Sequence, residues 1–415
     1  MEIPQFTGLA NKVAQEAIPL GALTVATNTD IDNAGKLRRR RGTTLIESGG
    51  FHSLFAVSDT HGYVVRNGDL CRFTPSMDFE IIASGVGGEA LSYARVADRV
   101  YAKSSTHALT FTSQGPAQQW GIPLVAGFAV AGSPAPGDQV AFVTQKIFGV
   151  AVTYRRDSDG LEGGVLESQR VSCNSGGITV SGIPTIPGYS ASIYMTELNG
   201  NVLMLARDGV IGSATLYPAS NGIPLRTRGK TPPAGAGPIA YMSGRILIAD
   251  GPILWATDPY QYELVDMIGG YKMLESDITF LASVSDGVFI GTLAGVFFMS
   301  GEFDSARLTR ISTHRAPRQT PQNIEMADVL NGDSPGVGVL FVTDGGVCVG
   351  NSGGQVINLT NKIFEFPQAQ AFSMVVRSQD GINQFVGVAS HQGTPSGSAR
   401  FGDFVDAEII RFKGA

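Results

Sequence analysis

The sequence predicts an all-β protein, and three observations carry that prediction. Glycine supplies 53 of the 415 residues and is spread along the chain without a collagen-like period, which is typical of many tight turns between short strands. Helical periodicity is nearly absent, and the best helical candidate, Gly8 to Gln15, is short and is followed by Pro19. An apolar strand, a polar turn and a second apolar strand recur along the chain. A chain of this length is also expected to form more than one core.

Six copies of the strand–turn–strand pattern define the repeated unit. In the first copy, Asn67-Gly68 is a strong signal for a two-residue hairpin. One such small sheet cannot bury two apolar faces alone, whereas radial stacking buries them against neighbouring sheets. The spacing of the copies matches a four-stranded propeller blade, so we predict a six-bladed β-propeller in preference to a β-helix, which needs shorter and more regular coils. The copies span residues 61–73, 97–111, 243–255, 285–298, 337–349 and 383–393.

Residues 121–233 break this rhythm and are delimited by Pro/Gly-rich linkers at 132–137 and 230–235. Short strands at 139–154, 177–181 and 192–196 predict a small β-sandwich of the immunoglobulin or fibronectin kind. The predicted organisation is therefore an N-terminal extended segment (1–45), blades one and two (46–120), the inserted β-sandwich (121–233) and blades three to six (234–415). We expect the N-terminal segment to help complete a blade formed mainly at the C-terminus, because closure removes an exposed edge.

Charge and cysteine content exclude several functional classes. A net charge of −6 argues against a protein that grips nucleic acid, since such binding depends on Lys and Arg. This negative charge is compatible with the wall of a channel through which DNA passes without adhering. The three cysteines are far apart and form no C-x-x-C motif, so neither a disulfide framework nor a zinc site is indicated. The chain shows no signal peptide and no apolar run long enough for a membrane span.

Motifs that might carry catalysis are incomplete. Residues 350–354 read Gly-Asn-Ser-Gly-Gly and are similar to the G-D-S-G-G of trypsin-like serine proteases, but asparagine replaces the aspartate and the upstream histidine segment is missing. A serine without a base cannot lose its proton. The five histidines never fall at metal-ligand spacing. We therefore expect a protein that is not an enzyme, with no catalytic residue, no metal site and no cofactor, and a Gly-rich turn at 350–354.

An aromatic and acidic stretch in the third copy admits two interpretations. Trp255, Asp258, Tyr260, Tyr262 and Glu263 could stack on and hydrogen-bond a sugar, as in propeller glycosidases. That chemistry needs a second carboxylate converging at a defined distance. The alternative is a turn at Asp258-Pro259 with aromatics that pack a loop between blades, and we interpret the five residues as a candidate blade–loop contact.

Arg38, Arg39, Arg40 and Arg41 form the strongest charge cluster. Consecutive guanidinium groups could pair with carboxylates of a neighbouring chain or with a phosphate backbone. They could equally face solvent and protect the edge of a strand from pairing. We interpret the cluster as a candidate subunit interface.

Three segments resemble one protein family. Residues 28–42, Asn-Thr-Asp-Ile-Asp-Asn-Ala-Gly-Lys-Leu-Arg-Arg-Arg-Arg-Gly, resemble the N-x-D-x-D-x-x-G-x-L-R-x-R-x-G stretch of phage tail nozzle or tail hub proteins, the packaged-DNA stabilisation proteins of short-tailed phages. Residues 244–260, followed by 262–266, resemble their G-R-L-x-x-A-D-G-x-x-L-W-x-S-x-P blade, and residues 278–292 follow the blade that comes next.

The resemblance implies a six-bladed propeller that assembles as a hexameric ring, closes or gates the DNA exit channel and stabilises the packaged genome. The implied partners are further copies of the chain, tail adaptor or portal-side ring proteins, and tail fibre or tail tip proteins. Packaged DNA would pass through without sequence-specific binding. The implied location is the virion tail, assembled in the host cytoplasm. The alternatives are a propeller glycosidase centred on Asp258 and Glu263, or a carbohydrate-binding adhesin that uses the insertion.

Overall fold

The computed structural model describes residues 5–10, 12–26, 29–32, 34–39, 45, 47–133, 146–173, 177–217, 222–328, 336–360, 371–379, 382–390 and 407–411. Within these residues every regular element is a strand except three single-turn 3-10 helices, at Gln15–Ala17, Phe303–Ser305 and Met326–Asp328, so the all-β prediction is confirmed. The best helical candidate, Gly8 to Gln15, forms no α-helix in its described residues. Gly8–Leu9 is a strand paired with Ala22–Leu23, because so short a segment gains more from pairing than from an isolated helix.

The N-terminal strands pair with each other. β1 (Gly8–Leu9) lies parallel to β2 (Ala22–Leu23), and β3 (Thr29–Ile31) forms an antiparallel hairpin with β4 (Leu37–Arg39). Asp32 holds the hairpin turn, since its Oδ1 accepts the backbone N–H groups of Ala34 and Lys36, each at 2.9 Å. These bonds, chiefly that from Lys36, together with the Arg38 guanidinium lower the pKa of Asp32 although burial opposes them.

Six small antiparallel sheets follow, and we number them in chain order. Sheet 1 holds β5 (Phe51–Ala56), β6 (Gly62–Arg66), β7 (Asp69–Phe73) and β8 (Phe79–Ala83); sheet 2 holds β9 (Ser92–Val96), β10 (Arg99–Lys103), β11 (Ala108–Phe111) and β12 (Gln118–Gln119). After the insertion and β20 (Lys230–Thr231), sheet 3 holds β21 (Ile239–Met242), β22 (Arg245–Asp250), β23 (Ile253–Asp258), β24 (Gln261–Asp266) and β25 (Tyr271–Met273).

Sheets 4 to 6 complete the series. Sheet 4 holds β26 (Ile278–Val284), β27 (Gly287–Thr292), β28 (Gly295–Ser300) and β29 (Arg307–Ser312). After β30 (Arg318–Gln319), sheet 5 holds β31 (Gln322–Glu325), β32 (Val337–Thr343), β33 (Gly346–Gly350) and β34 (Val356–Asn358). Sheet 6 holds β35 (Ala371–Gln379), β36 (Ile382–Ser390) and β37 (Ala407–Arg411), with β30 beside β35.

The first five predicted strand–turn–strand copies are each a hairpin of two adjacent strands within one sheet, as expected. In the first, Asn67 and Gly68 both have positive φ, 53° and 90°, as a two-residue type I′ turn requires. Of the sixth copy, residues 383–390 lie in β36 and the remainder lies outside the described residues.

Consecutive sheets share apolar cores. β6 and β7 of sheet 1 pack against β10 and β11 of sheet 2, and β9 and β10 pack in turn against β21 and β22 of sheet 3. Sheets 3 and 4 share a further core, as do sheets 4 and 5 and sheets 5 and 6. In β32, for example, Phe341 faces sheet 4 and Leu340 faces sheet 6. Burial on both faces explains why these strands read as continuous apolar runs instead of alternating.

Side-chain hydroxyls join the first strands of neighbouring sheets. Ser53 of β5 accepts the Leu91 N–H at 2.8 Å, and Ser92 of β9 accepts the Ile239 N–H at 2.9 Å. Ser283 of β26 donates to the carbonyl of Tyr241 at 2.5 Å, and Thr320, just before β31, accepts the Met374 N–H at 3.1 Å. These bonds satisfy backbone groups at first-strand positions where the sheets meet.

β30, in the linker between sheets 4 and 5, lies at the edge of sheet 6. It pairs in parallel with β35, through Arg318 with Ala371 and Gln319 with Phe372. Gln319 also donates its Nε2 to the Val342 carbonyl at 2.7 Å and accepts the Val342 N–H at 2.6 Å. In the described residues sheet 6 is therefore extended by the linker between sheets 4 and 5. Among the N-terminal strands, β1 pairs with β2 and β3 with β4; the expected part of this segment in a C-terminal blade falls largely on residues outside the described ranges and stays a prediction.

The insertion forms two antiparallel sheets around one apolar core. One sheet has the order β13-β16-β19 and the other β15-β14-β17-β18. Their bounds are β13 (Ala129–Ser133), β14 (Ile147–Arg156), β15 (Gln169–Ser172), β16 (Gly177–Ser181), β17 (Tyr189–Thr196), β18 (Leu203–Val210) and β19 (Ala214–Leu216). The strand predicted at 139–154 begins at Ile147 as far as it is described. None of the described helices is long and apolar enough to cross a membrane.

Candidate functional site

The predicted aromatic and acidic stretch lies partly in a seam between sheet 3 and the insertion. Glu263, on β24, is 5% exposed. Its Oε1 accepts a hydrogen bond from Arg156 Nη2 of the insertion at 3.1 Å, and its Oε2 accepts the N–H of Gly121 at 2.6 Å. One carboxylate thus binds both the first residue of the insertion and the end of its longest strand.

Arg156 completes this buried charge cluster. Its guanidinium donates to Asp159 through Nε at 3.1 Å and Nη2 at 2.8 Å. Burial opposes the charge of Arg156, but the carboxylates of Asp159 and Glu263 outweigh that effect and raise its pKa. Burial likewise acts to raise the pKa of Asp159, yet the bond from Arg156 leaves it below its ordinary value. Arg156 and Asp159 are therefore held in their ionised forms, and loss of one buried partner would leave the other charge uncompensated.

Aromatic rings continue the seam towards sheet 2. Trp120 donates its indole N–H to the carbonyl of Tyr262 at 2.7 Å. The Tyr101 ring lies 5.2 Å from that of Trp120 and 5.6 Å from that of Tyr262. Burial, together with the neighbouring Tyr241, raises the pKa of Tyr262. Tyr262 therefore packs at the meeting point of sheets 2 and 3 and the entry to the insertion.

Asp258 lies at the chain's exit from the insertion. Its carboxylate pairs with the ammonium of Lys230 on β20, which itself pairs with β24. The backbone at Gly164 of the insertion comes close to β20 at this point, since a Cβ on Gly164 would lie 1.9 Å from the Lys230 carbonyl oxygen. A larger residue at 164 would thus push the insertion away from β20.

Trp255 and Tyr260 lie outside the buried charge cluster. Trp255 packs against Tyr271, with ring centroids 5.2 Å apart. Tyr260 is 77% exposed, has φ of +57° and donates its N–H to the Gly244 carbonyl at 2.7 Å. The structure therefore brings Asp258, Tyr262 and Glu263 to the contact with the insertion, places Trp255 against the core shared by sheets 2 and 3, and leaves Tyr260 exposed.

The charged groups of the seam therefore position the insertion against sheet 3. Both carboxylates that a glycosidase would need are bound to cationic side chains, Asp258 to Lys230 and Glu263 to Arg156. Sequence reasoning missed Arg156, Lys230 and Trp120, which lie 28 to 142 residues from their partners. The only local signal was a tryptophan at the boundary of the predicted insertion.

The arginine cluster is described in part. Arg38 and Arg39 lie on the exposed strand β4, and Arg40 and Arg41 lie outside the described residues. Arg38 Nε lies 2.7 Å from Asp32 Oδ2, so one guanidinium supports its own hairpin.

The remaining motifs have structural roles. Residues 350–354 form a turn between β33 and β34, in which Asn351 Oδ1 accepts the Gln355 N–H at 2.9 Å, so the expected Gly-rich turn is confirmed. All three cysteines are buried. In the described part of the chain, no group of three or more His, Cys, Asp or Glu side chains could hold a metal ion.

Comparisons with known proteins give only distant likenesses. No family model matches the sequence, and no curated protein matches it. Among solved structures, BBS1N in complex with ARL6DN is 11% identical, with a TM-score of 0.33 and coverage of 83% of this chain and 90% of that chain. Streptogramin B lyase is 9% identical, with a TM-score of 0.33 and coverage of 82% and 92%. Hsv2 of Kluyveromyces lactis is 8% identical, with a TM-score of 0.31 and coverage of 82% and 90%.

Proposed function

We propose that this chain is a structural virion protein that forms a ring of a phage tail, as a nozzle or hub. In this proposal its six sheets are the blades of a β-propeller, and the insertion is a β-sandwich of the immunoglobulin or fibronectin kind. Its mechanism is packing and gating, with no bond made or broken. The ring closes or gates the DNA exit channel and thereby stabilises the packaged genome.

The order of contacts supports the propeller. Each sheet shares an apolar core with the next one in the chain, from sheet 1 to sheet 6. The first strands also touch in sequence, β9 with β21 and β21 with β26. Sheets that meet along their first strands and diverge outwards are the geometry of blades around an axis. The shared core of the two sheets of the insertion supports the β-sandwich in the same way.

The observation that carries the proposed assembly is the surface of the N-terminal segment. Leu20 is 61% exposed and Val25 75% exposed, and all three residues of β4, Leu37 to Arg39, are exposed. Ala10, Gly21 and Asp32 are its buried residues in the described part. A segment with little core of its own that displays apolar and cationic side chains is typical of one that lies on another chain.

Overall charge supports the proposed channel. The net charge of −6 disfavours adhesion to a phosphate backbone. A ring wall of this chain would let DNA pass without sequence-specific binding. The proposed neighbours are tail adaptor or portal-side ring proteins on one side and tail fibre or tail tip proteins on the other.

Imaging of the purified chain tests the proposal. We expect mass photometry to give a six-copy species, and averaged electron micrographs to show six-fold rings. A matched variant lacking residues 1–45 is expected to keep its β-type circular dichroism and to remain a single copy. A natural chain that stays monomeric at every concentration, in the presence of tail extract as well as alone, would contradict the proposed function.

A further inference from the structure

We propose that the β3–β4 hairpin of one copy binds an apolar patch on sheet 3 of the adjacent copy. This inference rests on the proposed ring, and it names the two surfaces that meet in it. We call the first surface the arm, meaning residues 29–39 as described. We call the second the outer patch, meaning Ile253, Trp255, Ile268, Tyr271 and Met273.

The outer patch is a continuous apolar face at an edge of sheet 3. β25 pairs with β23 so that Met273 lies opposite Ile253 and Tyr271 lies opposite Trp255. Directly opposed residues share a face of a sheet, and residues two apart on one strand lie on that same face. Met273 is 70% exposed, and Ile268, in the turn that leads into β25, is 81% exposed. Ile253 and Trp255 are half-buried, and Trp255 also packs against the core shared by sheets 2 and 3. The exposed side chains Ile268, Tyr271 and Met273 are therefore the part of the patch that is open to a partner.

Carboxylates surround this patch. Asp250 lies opposite Ile253 at the end of β22. Asp277 lies beside the next turn, with its Oδ1 3.5 Å from where a Cβ on Gly251 would be. Asp266 accepts the N–H of Ile268 at 2.8 Å through its Oδ1. An apolar centre with an acidic rim therefore selects a partner with an apolar side chain flanked by cations.

The arm has the complementary character. Exposed Leu37 is followed by Arg38, which pairs with Asp32 of its own hairpin, and by the exposed Arg39. Asp32 holds the hairpin turn through its two backbone hydrogen bonds, so little conformational entropy is lost when the arm docks. The two surfaces are different patches of the same chain, and a contact between unlike patches generates a ring when its rotation closes.

Cross-linking tests this contact directly. The natural cysteines are buried, so thiols placed at Leu37→Cys and Met273→Cys are the accessible ones. With a short bismaleimide we expect the double variant to give a covalent ladder of up to six chains on a denaturing gel. Either single variant is expected to give no ladder. Leu37→Cys with Ile81→Cys, an exposed position on β8, is the matched control and should also give none.

Charge exchange provides an independent readout. Arg39→Glu alone and Asp277→Arg alone should each raise the dissociation constant of the ring by roughly tenfold, and the two together should restore most of it. If rings persist, but the double-cysteine variant gives no ladder and charge exchange gives no rescue, this inference is overturned. The proposed function is not affected by that outcome. A natural chain that never assembles would overturn both.

Discussion

At the scale of single residues, glycines mark where one sheet touches the next. Gly350, the last residue of β33, faces sheet 4, and a Cβ there would lie 2.4 Å from the ring of Phe289. Gly353, three residues later in the same turn, would meet only the flexible Asn351 side chain at 3.7 Å. The Gly-Asn-Ser-Gly-Gly sequence is thus explained at its first glycine by packing between sheets.

These two glycines give a matched pair of substitutions. Gly350→Ala is expected to lower the free energy of unfolding by about 1–3 kcal/mol, because Phe289 must leave its place in the core. Gly353→Ala should change it by less than about 0.5 kcal/mol. Denaturant unfolding of both variants measures the difference in their free energies of unfolding. Equal values would show that the close contact between residue 350 and Phe289 does not determine stability.

Residue-level prediction succeeded where the cause is local. The Asn67-Gly68 turn follows from its own dipeptide, since both residues adopt positive φ readily. The link from Glu263 to Arg156 spans 107 residues, and no local pattern distinguishes a glutamate that will be buried from one that stays in solvent. The sequence therefore marks the stretch from Trp255 to Glu263 as unusual but does not identify Arg156 as the partner of Glu263.

At the scale of elements, the repeated hairpins are predictable from the sequence, but the strands that pair at the outer edge of a sheet are not. Continuous apolar runs and two-residue turns identify β27–β28 and β32–β33 from sequence alone. The outer position of sheet 3 is instead divided between β24 and β25, both of which pair with β23. β24 also pairs with β20, where the chain leaves the insertion, and no local sequence pattern shows this tertiary pairing.

The insertion is the element whose placement depends on one buried charge. Glu263→Gln should lower the free energy of unfolding by about 3 kcal/mol or more, because Arg156 loses a buried anionic partner. Glu275→Gln, which removes an exposed pair with Arg310 at 2.9 Å, is the matched control and should cost less than about 1 kcal/mol.

Hydrogen exchange locates that effect. In the Glu263→Gln variant, exchange should accelerate at the Gly121 N–H, which loses its charged acceptor, while the β32–β33 hairpin should stay protected. If the two variants have equal melting temperatures and equal exchange at Gly121, the carboxylate does not hold the insertion in place.

At the scale of the whole molecule, several aspartates tie stability to pH. Burial acts to raise the pKa of Asp208, but its bonds from Ser192 and Gly209 and the charge of Arg155 bring it below the ordinary value. Asp32 and Asp159 are lowered as well. A lowered pKa in the folded state stabilises the fold above the ordinary value of 3.8 and loses that contribution as pH falls through the folded value.

We therefore expect the melting temperature to be nearly constant from about pH 7 to about pH 5 and to fall below about pH 4. The deficit of the Asp208→Asn variant relative to the natural chain should shrink over that lower range. Asp59→Asn, in an exposed loop, controls for the loss of one negative charge. A deficit of Asp208→Asn that is independent of pH would show that its carboxylate does not contribute through ionisation.

The parallel strand β30 is synthesised well before the strand with which it pairs. Residues 318–319 leave the ribosome before β32, to which the Gln319 amide bonds, and well before β35, beside which they finally lie. At translation rates of about 5–20 residues per second, β35 follows them by roughly 3–10 s. During that interval sheet 5 can form around Gln319 while one edge of β30 waits for its partner. We therefore expect sheet 6 to form on a strand already in place, and a chain truncated before residue 371 to expose a ready template for pairing with another chain.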